Sequence, residues 1–198
     1  MDSEYYFIGS SAAPNIPLLK NDDTVDMKGT WFLYDHKETS LPGPVHLCFG
    51  EPVPKVPNMA DYLTLPQTVF SKKIYDALKT VSLRNFQMVP AVIRGNEGAV
   101  YDNYWLVNNY NYINSFDKEN CVYKENSDGS WRRIKKIAID YNLLNNIPLE
   151  ERLIYKSKEA RQFEIYHKSI VDMIMAANPE GLSFIPIDSW YEGIQFKK

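Results

Sequence analysis

The stretch DHKETSLPGPVHLC brings together Asp35, His36, His46 and Cys48, the densest set of potential metal ligands in the chain. Imidazole, thiolate and carboxylate are the groups that hold zinc. On a strand, His46 and Cys48 stand two apart, point to one face and can share an ion. No fourth ligand stands at a standard spacing, and the plainer reading is a histidine and a cysteine lining a half-buried strand. The expectation is no metal and no cofactor. A nucleophile pair of Cys48 or Cys121 with His167 is chemically conceivable, but the separations do nothing to hold such groups together. GxSxG, P-loop and GxGxxG patterns are all absent. RGNEG (94–98) lacks the lysine and the following helix that phosphate binding uses, and Glu150-Glu151 read as solvated acids in a polar connection. No catalytic residue is expected.

Binding chemistry is easier to find. WRRIKK (131–136) is the most concentrated basic feature. Period-two geometry would put Arg133 and Lys135 on one face with Trp131, a combination suited to phosphates and stacked bases. The same charges can guard a sheet edge against aggregation or form a docking stripe for an acidic protein. The chain holds fourteen tyrosines and four tryptophans, and Tyr101, Tyr104, Trp105, Tyr110, Tyr112, Phe116 and Tyr123 crowd one segment. Tyrosine supplies rigid amphipathic contact area at interfaces, and it is also a good strand former. The candidate partner-binding set is Tyr101, Tyr104, Trp105, Tyr110, Tyr112, Trp131, Arg133 and Lys135.

The elements that must position these residues follow from punctuation and periodicity. Eight of the twelve prolines lie in the first 66 residues, so long helices are not expected there. Short strands are predicted at YYFI (5–8), TWFLY (30–34) and VHLCF (45–49), in a segment that wraps or extends a later sheet. The organisation expected is a Pro-rich segment over 1–64 and an α+β unit over 65–198, together one compact body.

From TVF (68–70) the pattern turns regular. Ser71 is a good N-cap, and Ile74, Ala77, Leu78 and Val81 form a helical stripe. FQMVPAVI (86–93) reads as a strand covered on both faces or nearly so. YWLVN (104–108) and YNYINSF (110–116) read as antiparallel strands about an asparagine turn. CVYKE (121–125) and WRRIKKIAI (131–139) flank Asp128-Gly129, a hairpin signal. ERLIYKS (151–157), FEIYH (163–167), a helix over 168–177 and LSFIPI (182–187) complete the chain.

Residues 69–92, moved forward by 96, align without a gap. Lys72 falls on Lys168, Ile74 on Ile170, Asp76 on Asp172 and Pro90 on Pro186. The stripe Ile74, Ala77, Leu78, Val81 maps onto Ile170, Met173, Ile174, Ala177. Helices of about ten residues are marginal alone, so two such strand–helix–strand units must share a core. The fold class expected is α+β, mostly antiparallel sheet, with two pseudo-repeated units.

Net charge is −3, from 22 basic and 25 acidic side chains, which speaks against non-specific nucleic-acid binding. Residues 1–60 hold four lysines against eight acids, a net of −4, able to steer a basic partner or simply to keep the protein in solution. The two distant cysteines suit a reducing compartment. The N-terminus does not read as a signal peptide, and no run reaches the about 18 apolar residues of a membrane helix. A cytoplasmic protein with no membrane partner is expected.

VFSKKIYDALKTVSLRNFQMVP, YWLVNNYNYINSFD and RLIYKSKEARQFEIYHKSIVDMIMAANPEGLSFIP resemble immunity-protein family eleven, bacterial proteins found beside polymorphic toxins and formerly a domain of unknown function. The resemblance covers roughly 65–190 and leaves the first 60 residues outside. It departs from the family pattern in three places. His167 stands where a second serine is expected, Asn85 replaces a glycine, and LIYK (153–156) stands in place of a Phe-Arg pair. The resemblance implies an antitoxin that binds and neutralises a cognate protein toxin by contact, without chemistry of its own. A small hydrolase using His46 or His167 is the alternative, and a nucleic-acid-binding module a further one.

Overall fold

Ser71 opens the first helix as its spacing predicts: the side-chain oxygen accepts from the Lys73 amide at 3.2 Å. The last helix opens with His167 in the same role, its Nδ1 accepting from the Ser169 amide at 3.2 Å. An imidazole nitrogen therefore replaces the hydroxyl that the family pattern leads one to expect.

The computed structural model describes residues 3–11, 13–25 and 37–194. Its elements are β1 (Tyr5–Ser10), β2 (Leu19–Asn21), β3 (Val45–Phe49), β4 (Tyr62–Leu63), β5 (Val69–Ser71), α1 (Lys72–Leu78), β6 (Phe86–Arg94) and β7 (Val100–Asn109). They continue with β8 (Tyr112–Ile113), β9 (Val122–Glu125), β10 (Trp131–Lys136), α2 (Tyr141–Leu144), β11 (Ile154–Ser157), β12 (Glu164–His167), α3 (Lys168–Ala176) and β13 (Leu182–Pro186). Among the described residues the fold is mixed α+β, mostly sheet, with three short α-helices. The expected strand at 30–34 lies outside the described residues.

A six-stranded sheet runs β2-β3-β6-β7-β5-β4, a five-stranded sheet runs β13-β1-β12-β11-β8, and β9 and β10 form a separate hairpin. Among the described strands, only β3–β6 and β8–β11 pair in parallel. In the larger sheet β7 lies between β5 and β6, antiparallel to both. In the smaller one β1 lies between β12 and β13, again antiparallel to both. Val89 faces Leu106 as Ile185 faces Phe7, and Phe70 faces Trp105 as Tyr166 faces Tyr6. The flanking bonds agree as well. Ser71 N–H donates to Asp61 O and His167 N–H to Leu153 O, both at 2.9 Å. Tyr110 N–H donates to Asn85 O at 2.9 Å, and Ser11 N–H to Gly181 O at 3.0 Å. Asn85 and Gly181 share a left-handed backbone, at φ 49° and 82°. Asparagine tolerates that region better than other side chains do, so the departure at 85 is accommodated.

Both helices feed one core. Ile74 and Leu78 of α1 meet Ile170, Val171 and Ile174 of α3, with Phe70 and Tyr166 beneath. Each such side chain contributes about 1.5–3 kcal/mol on burial. Met173 is not part of that stripe; it is 44% exposed, and Val171 takes the inward position. A helix packed against both a sheet and a neighbouring helix needs a wider apolar arc than one row supplies.

Two further expectations are corrected. Strand β6 is not covered on both faces, because Pro90 and Arg94 are exposed while Val89, Ala91 and Ile93 are buried. Residues 104–108 and 110–116 do not form a hairpin: β7 stays in the larger sheet, and β8 crosses to pair with β11. The N-terminal segment extends the larger sheet through β2, β3 and β4, as expected, and also places β1 inside the smaller one, between β12 and β13.

Candidate functional site

The hairpin of β9 and β10 is closed by its turn. Asn126 N–H donates to Ser130 O at 2.8 Å, Ser130 N–H to the Asp128 carboxylate at 3.0 Å, and Gly129 takes φ 79°. Glycine adopts that conformation without steric cost. Beyond the turn Trp131 pairs with Glu125, Arg132 with Lys124 and Lys136 with Val122, with a bulge between Arg132 and Lys136. Arg133 sits in the bulge at φ 48°. The extra residues change the period from two to three, so Trp131, Ile134 and Ile137 are buried and Arg132, Arg133, Lys135 and Lys136 are exposed. Arg133 and Lys135 therefore do not share a face with Trp131. The indole stacks on Tyr123 with centroids 3.6 Å apart and rings 8° from parallel, and the Trp131 backbone N–H donates to Glu159 O at 2.9 Å. This is what anchors the hairpin to the core.

The aromatic candidates fall on separate parts of the fold. Tyr104 is buried in β7, its hydroxyl donating to the Met59 and Ala60 carbonyls at 3.1 and 3.2 Å, and burial pushes its pKa up to about 12. Trp105, on the other face, stacks on Tyr75 of α1 at 4.1 Å and 7°. Tyr101 stacks on Phe49 at 6.1 Å, over Gly95, where a Cβ would crowd both rings. Tyr110 is half-buried just beyond β7. Tyr112 belongs to the other sheet and carries the Arg161 guanidinium 5.6 Å from its ring centroid. Lys124, Arg132 and Lys136 were not in the candidate set. The last two lie within WRRIKK, and the register set by the Asp128-Gly129 turn would have pointed to Lys124.

The groups with chemical potential serve the fold. His46 and Cys48 lie on β3, as expected, but Asp35 and His36 lie outside the described residues. Among the described residues no three His, Cys, Asp or Glu side chains gather as a metal site. The Cys48 thiol is buried, with its Sγ 3.7 Å from Asn21 O. The Cys121 sulfur donates to Ala138 O at 3.5 Å and accepts from Ala138 N–H at 3.2 Å. Burial pushes both thiols up, away from the reactive thiolate. His167 lies edge-on to Tyr5, with Nε2 3.6 Å from Glu4, while Arg152 holds Glu4 at 3.1 Å and also bonds the Tyr5 hydroxyl. Burial lowers the His167 pKa, and the Glu4 carboxylate opposes that shift. A cleft of about 640 Å³ is lined by Asp117, Glu119, Asp140 and Glu159 with Lys118 and Lys158. Another of about 660 Å³ lies between residues 39–44 and the first half of β6. Neither is lined by a histidine or a cysteine.

Arg94, at the start of RGNEG, is engaged as well: its Nε and Nη2 each reach the Asp22 carboxylate at 2.8 Å. The guanidinium, with Thr24, holds that carboxyl far below the usual carboxylate range. The loop closes on itself through Gly95 N–H to Ala99 O at 2.8 Å. No helix of the described chain is long and apolar enough to cross a membrane.

Two sheets around a shared pair of helices, with the ionisable groups engaged in caps and ties and a cationic hairpin outside both sheets, describe an α+β scaffold whose distinctive chemistry is on its surface. The chain belongs to the immunity protein family Imm11, whose profile matches residues 9–189. The match takes in most of the N-terminal segment, which the sequence resemblance had left out. Comparison with curated proteins finds no match.

Proposed function

We propose that this protein is an antitoxin that neutralises a cognate bacterial toxin by direct contact, without catalysing a reaction. Membership of the immunity protein family over residues 9–189 carries the proposal. The employment of His167 as a helix cap and of Cys121 as a backbone tie supports it. Such a protein works in the bacterial cytoplasm beside its toxin, where Cys48 and Cys121 remain unpaired thiols. The residues proposed for contact are the exposed Arg133 and Lys135 and the half-buried Tyr101, Trp105, Tyr110 and Tyr112, on separate parts of the fold, with the buried Tyr104 and Trp131 each holding its own strand in place.

The scaffold is proposed to be one block used twice, with residues 1–64 and 65–198 folded as a single body. The matched registers, caps and left-handed residues at an offset of 96 support this, and so does the seat of β1 in the second unit. The central strand follows its unit directly in one case (β7) and comes from the far end of the chain in the other (β1).

Co-expression with the toxin encoded beside its gene tests the function. Restored growth and a complex that co-purifies are expected. Neither effect with any neighbouring toxin candidate would reject the proposal.

A further inference from the structure

The side chains on the outer face of the β9–β10 hairpin are set by its register. Residues directly opposite in an antiparallel pair share a face, as do residues two apart on one strand. Arg132 opposes Lys124 and Lys136 opposes Val122, so three cations surround a valine that is 49% exposed. Arg133 and Lys135 add two more exposed cations beside them. None of these five side chains makes an ion pair with a described residue.

Pairing of the two strands does not account for this arrangement, although charge can also guard an open sheet edge. Like charges placed directly opposite on paired strands destabilise the pair. A left-handed arginine in the bulge is also unfavourable. Folding alone would favour a carboxylate at 124 or 132. Residues 122–136 hold five cations against two carboxylates, a net of +3 in a chain of net −3. The remaining residues therefore sum to −6, and the patch is a local reversal of the protein's field.

We infer that this outer face docks an acidic protein surface of the toxin, Val122 filling the dry centre and Lys124, Arg132 and Lys136 meeting carboxylates around it; the assignment rests on the antitoxin function proposed above. An apolar centre ringed by charge is the usual plan of a protein interface. The carboxylates of the partner relieve the repulsion that the free hairpin carries. A nucleic acid fits less well, because the cleft reaching the hairpin turn at Gly129 is lined by Asp117, Glu119, Asp140 and Glu159. A phosphate backbone extending past the hairpin would meet those acids, whereas a protein surface of limited extent need not.

The test compares two triple charge reversals of equal net charge. One is K124E/R132E/K136E on the hairpin, and the other is K20E/K55E/R84E at exposed cations elsewhere. Binding of the neighbouring toxin is followed by surface plasmon resonance at several salt concentrations. The hairpin variant is expected to lose about a hundred-fold or more in affinity, with a slower, less salt-sensitive association, since like-charge contacts are strongly unfavourable at interfaces. The other variant should stay within about three-fold, because distant exposed charges are screened. The single variant R132E should bind more weakly while its Tm holds or rises. Toxin binding by the hairpin variant equal to wild type would overturn the docking face and leave the antitoxin function intact. Absence of toxin binding by the wild type would overturn both. Wild-type binding to an oligothymidylate or to phosphatidylglycerol vesicles, lost in the hairpin variant, would reassign the hairpin to a polyanion. A fall in R132E Tm in step with lost binding would mark the arginine as structural and overturn the docking role.

Discussion

Gly181→Ala separates backbone strain from packing at the start of β13. Gly181 has φ 82°, and its carbonyl accepts the Ser11 amide at 3.0 Å, holding the end of β1 in place. A Cβ there would come closer to the Ala60 Cβ than real side chains approach. Ala60 is 2% exposed, and its segment is held to β13 by Asp61 N–H donating to Glu180 O at 3.0 Å, so neither side yields freely. The left-handed backbone costs an alanine about 1–2 kcal/mol. Forcing a methyl into a packed site adds about 1–3 kcal/mol. Together G181A should lose about 2–5 kcal/mol, read from the midpoint of urea unfolding. Removing the opposing methyl isolates the second part. A60G alone should cost about 1 kcal/mol from lost burial and greater chain freedom. In the G181A background the clash disappears, so the double mutant should be more stable than additivity allows by about 1–3 kcal/mol. A loss below about 1 kcal/mol in G181A, or strict additivity with A60G, would show that Gly181 carries neither the strain nor the clash described.

Three other outcomes follow from the same contacts. His167 is held below its ordinary pKa of 6.5 by burial, so the unfolded chain binds its proton more readily. That contribution to stability is complete above 6.5 and is lost as pH falls through the interval down to the folded pKa. H167S, which copies the Ser71 cap, should keep Tm at neutral pH and flatten the fall in stability below pH 6.5. The Asp61 carboxylate meets Lys73 at 2.8 Å, the Glu180 amide at 2.7 Å and the Ser71 hydroxyl. Burial raises its pKa, but these donors outweigh burial and the net shift is downward. Its stabilisation is thus present above the usual carboxylate pKa and lost as pH falls through the lowered value. D61N should cost about 1.5–3 kcal/mol at neutral pH by urea unfolding, as charged hydrogen bonds do, and weaken the acid dependence. R132E exchanges a repelling cross-strand pair for an attracting one, and should gain about 0.2–1 kcal/mol at low salt, with the gain fading as salt is added.

Several features were legible because they are local. Ser71 before an apolar stripe specifies a capped helix, Asp128-Gly129 specifies a hairpin, and VHLCF coincides with β3, all from interactions within a few residues. The family resemblance was legible for the same reason, through short motifs at 69–92 and 165–188. The errors lie where one residue's surroundings are set by a distant one. Residues 110–116 have strand character, but which sheet receives Tyr112–Ile113 depends on β11, some forty residues away. Arg133 and Lys135 alternate with Trp131 on paper, and the bulge abolishes the alternation.

Where helices begin, which residues can turn left-handed and which side chains are apolar could be read from the residues alone, since each follows from sterics and hydration within a few bonds. The seat of β1 between β12 and β13, the use of the His167 ring as the α3 cap and the placing of Lys124 opposite Arg132 came only with the folded chain. Strand pairing is chosen by complementarity between distant segments. Many registers satisfy the same local pattern, and only burial of the whole core selects among them.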